Sequence, residues 1–292
     1  MKVKLGDIET AYSVQGEGPP VVLIHGLAEG KESWRGIQEK LSDFKTFTYD
    51  LRGHGKSSLG KGAGTLEQLG GDLIAFLEKV SGPAQCVGYS LGGTIVLCAA
   101  AKRPDLFTGI IVAGTSSVVG NQAVEFFKER IRMIQNDVSV LTPFFSQELT
   151  KTHTQNPPLS AQICGQNLEF APALRNDTAL QIVNSGVDLE AVVANRLEAV
   201  GNGCGYVNAA RAMMRLHEIP LTPLLTKIQS PVSVIGGEKD IFCPRKAGDI
   251  MLSKLNNGTF YEVANAGHLM SVDQPETYTN AIRSGLQRKH KW

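Results

Sequence analysis

A serine between glycines is the residue whose surroundings are best suited to nucleophilic chemistry. Residues 88–92 read GYSLG, the pattern G-x-S-x-G, between a predicted strand that ends at Val87 and a predicted helix that begins at Leu91. In such a tight turn, glycines avoid steric clashes, and the serine hydroxyl rises above the sheet edge. The first amides of the helix face the same space, where they can stabilise a negatively charged oxygen. The pattern alone is weak, but in this context it predicts Ser90 as the nucleophile.

A serine hydroxyl needs a neighbouring base to take its proton. Of the six histidines, His268 follows the last predicted strand directly, in the segment ANAGHL at 264–269. In a parallel sheet, loops that follow strands lie at one edge, so this loop is expected near the loop of Ser90. We therefore predict His268 as the general base. His54 is expected to stabilise its own turn, and His217 to occupy a structural or rim position.

The base needs an acid that fixes its tautomer. Asp240 ends the segment GGEKD at 236–240, which follows the predicted strand 232–235 and so reaches the same edge. Glu238 is the nearest rival. The loop after Ala113 reads GTSS and contains no carboxylate. We therefore predict that Asp240 orients His268.

The elements that must position these residues alternate between strand and helix. Two predicted strands, 2–5 and 8–14, flank Gly6-Asp7 as a hairpin. Further along, apolar runs predict buried strands, and apolar residues at helical spacing predict helices. The predicted strands are 21–24, 45–49, 84–87, 109–113, 231–235 and 258–263, and the predicted helices are 33–41, 66–80, 91–102, 244–255 and one that begins at Pro275. This alternation predicts the α/β class, with a mostly parallel sheet flanked by helices.

The alternation stops between residues 116 and 221, where we find no convincing buried strand. Helical periodicity recurs there, at 124–135, 189–200 and 206–216. We therefore divide the chain into a first core part at 1–115, a helical insertion at 116–221 and a second core part at 222–292. Aromatic residues of the insertion are expected to face a pocket or to pack onto the core, namely Phe126, Phe127, Phe144 and Phe145.

Composition excludes several function classes. Hydrophobic residues make up 42% and charged residues 20%, which is typical of a folded globular protein. The formal net charge of +1 provides no field to attract nucleic acid or an anionic membrane. No segment approaches the ~20 apolar residues that span a bilayer, and the N-terminus lacks the apolar region of a signal peptide. We expect a cytoplasmic protein with a small-molecule substrate, and no nucleic acid or membrane partner.

The five cysteines form no metal-ligand spacing such as C-x-x-C. We expect them to be free thiols in a reducing compartment. No metal and no organic cofactor is implied, because a serine, a histidine and a carboxylate supply the nucleophile and the proton transfers. The natural substrate and the oligomeric state are left open by the sequence.

Together these motifs resemble those of the α/β-hydrolase fold family. The resemblance rests on LIHGL at 23–27, YDLRGHGKS at 49–57, the GYSLG turn and Gly267-His268, in family order and over everything except the insertion. It implies that the backbone amides of Leu27 and Leu91 form an oxyanion hole, and that the turn at 50–57 is structural. It also implies that the insertion is a cap that covers the site and sets substrate choice.

The identity of the nucleophile narrows the reaction. Related haloalkane dehalogenases and epoxide hydrolases have aspartate at this turn and dienelactone hydrolases have cysteine, whereas serine points to acyl chemistry. We expect hydrolysis of a small to medium carboxylic ester or lactone through an acyl-enzyme. Residues 205–211, which lead to residues 221–225, loosely resemble the end of the cap in enol-lactonases. A thioesterase and a meta-cleavage C–C hydrolase are alternatives, although Tyr89 and Leu91 replace the Asn and Met common in the latter. A ligand receptor with little turnover is the alternative of another class.

Overall fold

The computed structural model describes residues 1–135 and 169–288 of the chain. Within them, apolar runs form an eight-stranded sheet, and amphipathic segments form helices around it. The strands are β1 (Lys2–Leu5), β2 (Ile8–Gln15), β3 (Pro20–Ile24), β4 (Lys45–Tyr49), β5 (Ala84–Tyr89), β6 (Phe107–Ala113), β7 (Val232–Gly237) and β8 (Gly258–Val263). The helices are α1 (Arg35–Lys40), α2 (Leu66–Phe76), α3 (Leu91–Lys102), α4 (Asn121–Gln135), α5 (Phe170–Gln181), α6 (Leu189–Val200), α7 (Cys204–Met214), α8 (Arg245–Leu252), α9 (Met270–Asp273) and α10 (Pro275–Leu286).

The sheet is parallel except at its first edge. The strand order is β1-β2-β4-β3-β5-β6-β7-β8. The pairs β1–β2 and β2–β4 are antiparallel, and all other neighbours are parallel. The predicted hairpin is confirmed, with a positive φ of 58° at Gly6. The predicted α/β class is also confirmed.

Apolar side chains cover both faces of the sheet. Along β3, Val22 and Ile24 belong to a cluster with residues of α2, α3 and α8. Val21 and Leu23 belong to a second cluster with residues of α1 and α10. Successive residues of a strand point to opposite faces, so the two clusters are separate layers. A continuous apolar run is needed because β3 is covered on both sides.

The helices α4 to α7 lie between β6 and β7 in the chain. They share an apolar cluster that includes Ile131, Phe170, Val200 and Tyr206 and that also contains Ala28 of the core. The helices predicted near 124–135, 189–200 and 206–216 are present. The division of the chain at residues 116 and 221 remains a prediction, as does the role of the region as a cap.

The helix α5 was not predicted from the sequence. Its buried side chains include Phe170 and Leu174, but also Asp177, Thr178 and Gln181. These polar side chains are buried because they pair within the protein: Asp177 accepts two hydrogen bonds from Arg130, and Arg196 donates to Thr178 and Gln181. Buried polar residues interrupt the apolar period on which a prediction from sequence depends.

Close backbone contacts join α7 to the core. A Cβ atom on Gly205 would lie 2.3 Å from the carbonyl oxygen of Gly53, and one on Gly53 would lie 2.6 Å from Cα of Gly205. Nearby, the Gly64 amide donates to the side-chain oxygen of Asn208 at 2.8 Å. The glycine pair therefore allows two main chains to approach more closely than side chains would permit.

The turn at 50–57 contains charged residues that bond within the fold. Asp50 accepts hydrogen bonds from the amides of Lys31 and Lys56. Arg52 is 4% exposed and donates to both carboxylate oxygens of Asp72 and to Asp7. These groups are occupied in holding the turn, which agrees with the structural role implied for it.

Two observations bear on the predicted compartment. Cys86, Cys98 and Cys243 carry free thiols, but Cys204 is disulfide-bonded. The prediction that all five cysteines are free is therefore wrong at Cys204, and the argument for a reducing compartment loses that support. Among the described residues, none of the helices has the length and hydropathy of a membrane span. A cytoplasmic location stays a prediction.

We predict that Gly205→Ala destabilises the protein by about 1–3 kcal/mol, because the new methyl group would overlap the Gly53 carbonyl. Gly71→Ala is the matched control, since Gly71 lies inside α2 with no atom within 4 Å of its Cβ position. That change should stabilise the fold by about 0.5–1 kcal/mol through helix propensity. Urea unfolding measures both, and a Gly205→Ala variant as stable as the wild type would contradict the close contact.

Candidate active site

Ser90 lies in a strained turn between β5 and α3. Its φ is 52° and its ψ is −120°, and a positive φ is uncommon for a residue other than glycine. The flanking glycines have no room for side chains: a Cβ on Gly88 would lie 2.5 Å from Gly93 Cα, and one on Gly92 would lie 2.2 Å from the Ile24 carbonyl oxygen. The steric reason for the G-x-S-x-G pattern is therefore present in the fold.

The structure brings the three predicted side chains together in a hydrogen-bonded chain. Nε2 of His268 lies 3.1 Å from Oγ of Ser90, and Nδ1 lies 2.8 Å from Oδ2 of Asp240. Ser90 follows β5, Asp240 follows β7 and His268 follows β8, so all three lie at the carboxyl edge of the sheet. Both the acid and the histidine are buried, with 4% and 5% of their surface exposed.

The surroundings of Asp240 keep its carboxylate ionised. Its second oxygen, Oδ1, accepts hydrogen bonds from the amides of Phe242 and Cys243, both at 2.9 Å. Burial opposes ionisation, but the interactions with His268 and with these amides outweigh it, so the pKa of Asp240 is lowered. An ionised Asp240 accepts the Nδ1 proton of His268, which leaves the lone pair of Nε2 directed at Ser90.

The rival residues have other contacts. Glu238 is exposed and accepts a hydrogen bond from the amide of Asn265 at 2.7 Å, which supports the turn before the histidine loop. Asn265 has a positive φ of 54°. His217 is exposed, and its Nδ1 lies 3.1 Å from the Val119 carbonyl oxygen. Asp240 rather than Glu238 therefore contacts His268.

Two histidines hold the loop that contains Leu27. Nδ1 of His25 lies 2.8 Å from the Gly26 carbonyl oxygen, and Nε2 accepts the Leu51 amide at 2.9 Å. Nε2 of His54 lies 2.7 Å from the Leu27 carbonyl oxygen. The Gly26 carbonyl and the Leu27 amide belong to one planar trans peptide, so fixing the carbonyl fixes the amide in the opposite direction.

Burial disfavours the charged form of these two histidines. It lowers the pKa of His25 to about 3, with a further contribution from His54, and it lowers the pKa of His54 as well. The prediction from sequence that His54 stabilises its turn missed this bond to Leu27. It also gave no role to His25, because a tautomer fixed by backbone partners has no signature in spacing.

The loop of His268 is held from both sides. The hydroxyl of Tyr89 donates to the His268 carbonyl at 3.2 Å. The buried carboxylate of Asp273 accepts the Gly267 amide at 2.7 Å through one oxygen, and the amides of Val183 and Asn184 at 2.9 Å through the other. Asp273 therefore joins the histidine loop to the segment after α5.

Aromatic side chains lie beside the histidine. The ring of Phe242 is 5.5 Å from that of His268, and the ring of Phe126 on α4 is 6.3 Å from Phe242. The Arg130 guanidinium lies 4.7 Å from the Phe126 ring and donates to both oxygens of Asp177, which neutralises its charge. Phe127 contacts Phe126, whereas Phe144 and Phe145 lie outside the described residues.

Cys243 also lies next to these side chains. Its sulfur, a carboxylate oxygen of Asp240 and a ring nitrogen of His268 all lie within 4.8 Å of one another. Burial and the neighbouring Asp240 raise the pKa of the Cys243 thiol well above its ordinary value, so the thiol is protonated and is a poor nucleophile. Sequence spacing did not reveal this neighbour, because residues 243 and 268 meet only through the fold.

We predict that acid destabilises the protein in part through His25. Its folded pKa is depressed, so below the unfolded value of about 6.5 the unfolded chain binds a proton that the folded protein excludes. Stability is therefore lost as the pH falls from about 6.5 towards 3. From about pH 7.5 to about pH 5.5, urea unfolding should show a loss about 1 kcal/mol larger in wild type than in His25→Gln. Equal losses in both proteins would refute the neutral buried His25.

Comparison with known proteins agrees with the fold and the motifs. The family described as alpha/beta hydrolase fold matches residues 19–275. The chain is 26% identical to 3-oxoadipate enol-lactonase 2 of Acinetobacter baylyi, over 97% of this chain and 94% of that protein. It is 26% identical to the pimeloyl-[acyl-carrier protein] methyl ester esterase of Chromobacterium violaceum, over 93% and 96% of the two chains. The crystal structure of the enol-lactonase from Burkholderia xenovorans LB400 has the same fold, with a TM-score of 0.79, 21% identity, and 99% and 100% of the two chains covered. The chain therefore belongs to the alpha/beta hydrolase fold family.

Proposed function

We propose that the protein hydrolyses a small to medium carboxylic ester or lactone through an acyl-enzyme on Ser90. The observation that carries this proposal is the hydrogen-bonded chain from Ser90 through His268 to Asp240, with separations of 3.1 and 2.8 Å. These distances are within the range in which a base takes a proton from a hydroxyl nucleophile. The relatives named as an enol-lactonase and a methyl ester esterase support the same class of substrate.

Acylation follows from the positions of these atoms. Oγ of Ser90 attacks the carbonyl carbon while Nε2 of His268 takes its proton. The carbonyl oxygen becomes negative and accepts hydrogen bonds from the amides of Leu27 and Leu91. His268, now an imidazolium stabilised by Asp240, gives the proton to the leaving alcohol oxygen as the carbon–oxygen bond breaks. In a lactone this oxygen stays attached to the acyl group.

Deacylation repeats the sequence with water. Nε2 of His268 takes a proton from water, whose oxygen attacks the acyl carbon of the Ser90 ester. The same two amides stabilise the second oxyanion, and the proton on His268 returns to Oγ of Ser90 as the acid leaves. No group outside this chain is needed to balance the reaction apart from the ester and water.

The aromatic residues beside His268 support an apolar leaving group. His268 delivers a proton to the leaving oxygen, so the alcohol portion of the substrate lies near Phe242 and Phe126. The ring of Phe242 lies 5.5 Å from the ring of His268, and the ring of Phe126 lies 6.3 Å from that of Phe242. Arg130, the charged residue over Phe126, is already paired with Asp177. We infer that α4 acts as part of a cap and that the partner is a small-molecule substrate.

We predict that the wild type hydrolyses members of a panel of p-nitrophenyl and alkyl esters and lactones, and that Ser90→Ala lowers kcat by about 10⁴-fold or more. The panel should include thioesters and a vinylogous 1,5-diketone, so that the thioesterase and C–C hydrolase alternatives are tested with the same protein. Turnover confined to one of those substrates would replace the ester proposal with that alternative. If the folded wild type were no faster than Ser90→Ala on every substrate, a receptor with little turnover would be the better explanation.

We predict that Asp240→Asn lowers kcat by about 10⁴-fold without unfolding the protein, because an amide favours the wrong tautomer of His268. Glu238→Gln is the matched control: its side chain contacts the Asn265 amide rather than His268, and kcat should stay within about twofold. Steady-state kinetics and circular dichroism measure the two effects. A larger loss in Glu238→Gln than in Asp240→Asn would mean that the acid is wrongly assigned.

A further inference from the structure

Cys243 completes a set of three different metal-binding donors at the end of the sheet. The chain turns back after Asp240, because Oδ1 of Asp240 accepts the amides of Phe242 and Cys243. This turn places the Cys243 sulfur on the same side as the carboxylate and the His268 ring, with the three donor atoms within 4.8 Å of one another. The reaction proposed above uses Asp240 and His268 but gives no role to this thiol.

A carboxylate oxygen, a thiolate and an imidazole nitrogen are the ligands that Zn²⁺ takes in proteins. Three protein ligands and one water form a common four-coordinate zinc site. We propose that Asp240, Cys243 and His268 bind one thiophilic divalent cation such as zinc. This binding reversibly blocks the site of the proposed hydrolysis. The cation acts as an inhibitor here and not as a cofactor of the reaction.

The donors need only small movements to reach one ion. Zinc bonds of about 2.0–2.2 Å to nitrogen and oxygen place those two atoms about 3.3 Å apart in a tetrahedral site. The present separation of Nδ1 and Oδ2 is 2.8 Å, so the pair must open slightly. The sulfur forms a bond of about 2.3 Å to zinc and must then lie about 3.5 Å from the nitrogen and from the oxygen ligand. In the present structure all three donor atoms lie within 4.8 Å of one another, so the sulfur must move closer to the other two.

The charge of the ion suits a buried position. Asp240 and His268 are 4% and 5% exposed, and an isolated divalent cation would be costly there. The carboxylate and the thiolate together offset its two positive charges. Mg²⁺ and Ca²⁺ prefer sets of oxygen ligands, and these three residues offer oxygen only through Asp240, so the site favours zinc over them.

Coordination at Nδ1 removes the base that Ser90 requires. The metal takes the Nδ1 lone pair, and the single proton of the neutral ring then resides on Nε2. Nε2 donates to Ser90 instead of accepting its proton. The Cys243 thiol gives its proton to solvent when it binds the metal. Chelation of the ion restores the Nδ1 proton and with it the lone pair of Nε2.

The first experiment measures ester turnover by the untagged wild type in thiol-free buffer as Zn²⁺ is added. We expect complete inhibition with one zinc per chain, full recovery with EDTA, and no inhibition by Mg²⁺ at the same concentration. Cys243→Val and Cys243→Ser should each raise the zinc concentration for half-inhibition by at least about tenfold, relative to the metal-free rate of the same variant. Cys98→Ser is the matched control and should behave as wild type, because its thiol lies eight residues along α3 from Ser90 and contacts the Leu66 carbonyl.

The second experiment does not depend on turnover. Co²⁺ added to Ser90→Ala should give a thiolate-to-cobalt charge-transfer absorption, and this absorption should be absent from Ser90→Ala/Cys243→Val. Absorption without measurable ester hydrolysis in the wild type would support the metal site while refuting the proposed function, so the two failures are distinguishable. The metal site is overturned if the absorption is the same in both proteins or absent from both, or if Cys243→Val is as sensitive to zinc as the wild type.

Discussion

Parallel pairing of the strands β5 to β8 is the constraint on which the site depends. In the sheet, Tyr89 pairs with Ala113, Ala113 with Ile235, and Gly237 with Val263. The loops that carry Ser90, Asp240 and His268 therefore begin at nearly the same level of one sheet edge. A slip of one residue in a register would turn each following side chain to the opposite face. The close packing of particular side chains on each face opposes such a slip, so the packing of the core also fixes the distances in the site.

The backbone strain in the described residues is concentrated around this edge. Ser90 and Asn265 are the non-glycine residues there with positive φ, and such a conformation costs about 1–3 kcal/mol. Local hydrogen bonds offset it: the Ser90 amide donates to the Ala113 carbonyl at 2.8 Å, and Glu238 accepts the Asn265 amide. The strain at Ser90 directs its side chain outward, and the strain at Asn265 lies at the start of the loop of His268. The stability of the sheet therefore maintains a backbone geometry that these segments would not adopt alone.

The sequence predicted most of the strands and helices, and it predicted that Ser90, Asp240 and His268 follow the ends of strands. β4, β8 and α6 were predicted at their observed bounds. α5 was missed because Asp177 and Gln181 are buried by pairing with arginines. The roles of His25 and His54 and the position of Cys243 were missed for a common reason. Each depends on a contact between segments that are distant in the chain.

The histidines at this sheet edge show how the surroundings of a side chain decide what it can do. His25 and His54 bond to backbone groups and are buried, which lowers the pKa of each. Burial therefore opposes protonation of either ring. His268 is also buried, but it alone bonds to a carboxylate. A positive charge on its ring would therefore be compensated by Asp240, which suits His268 to the proposed roles of base and acid, while the other two histidines hold the loop that contains Leu27.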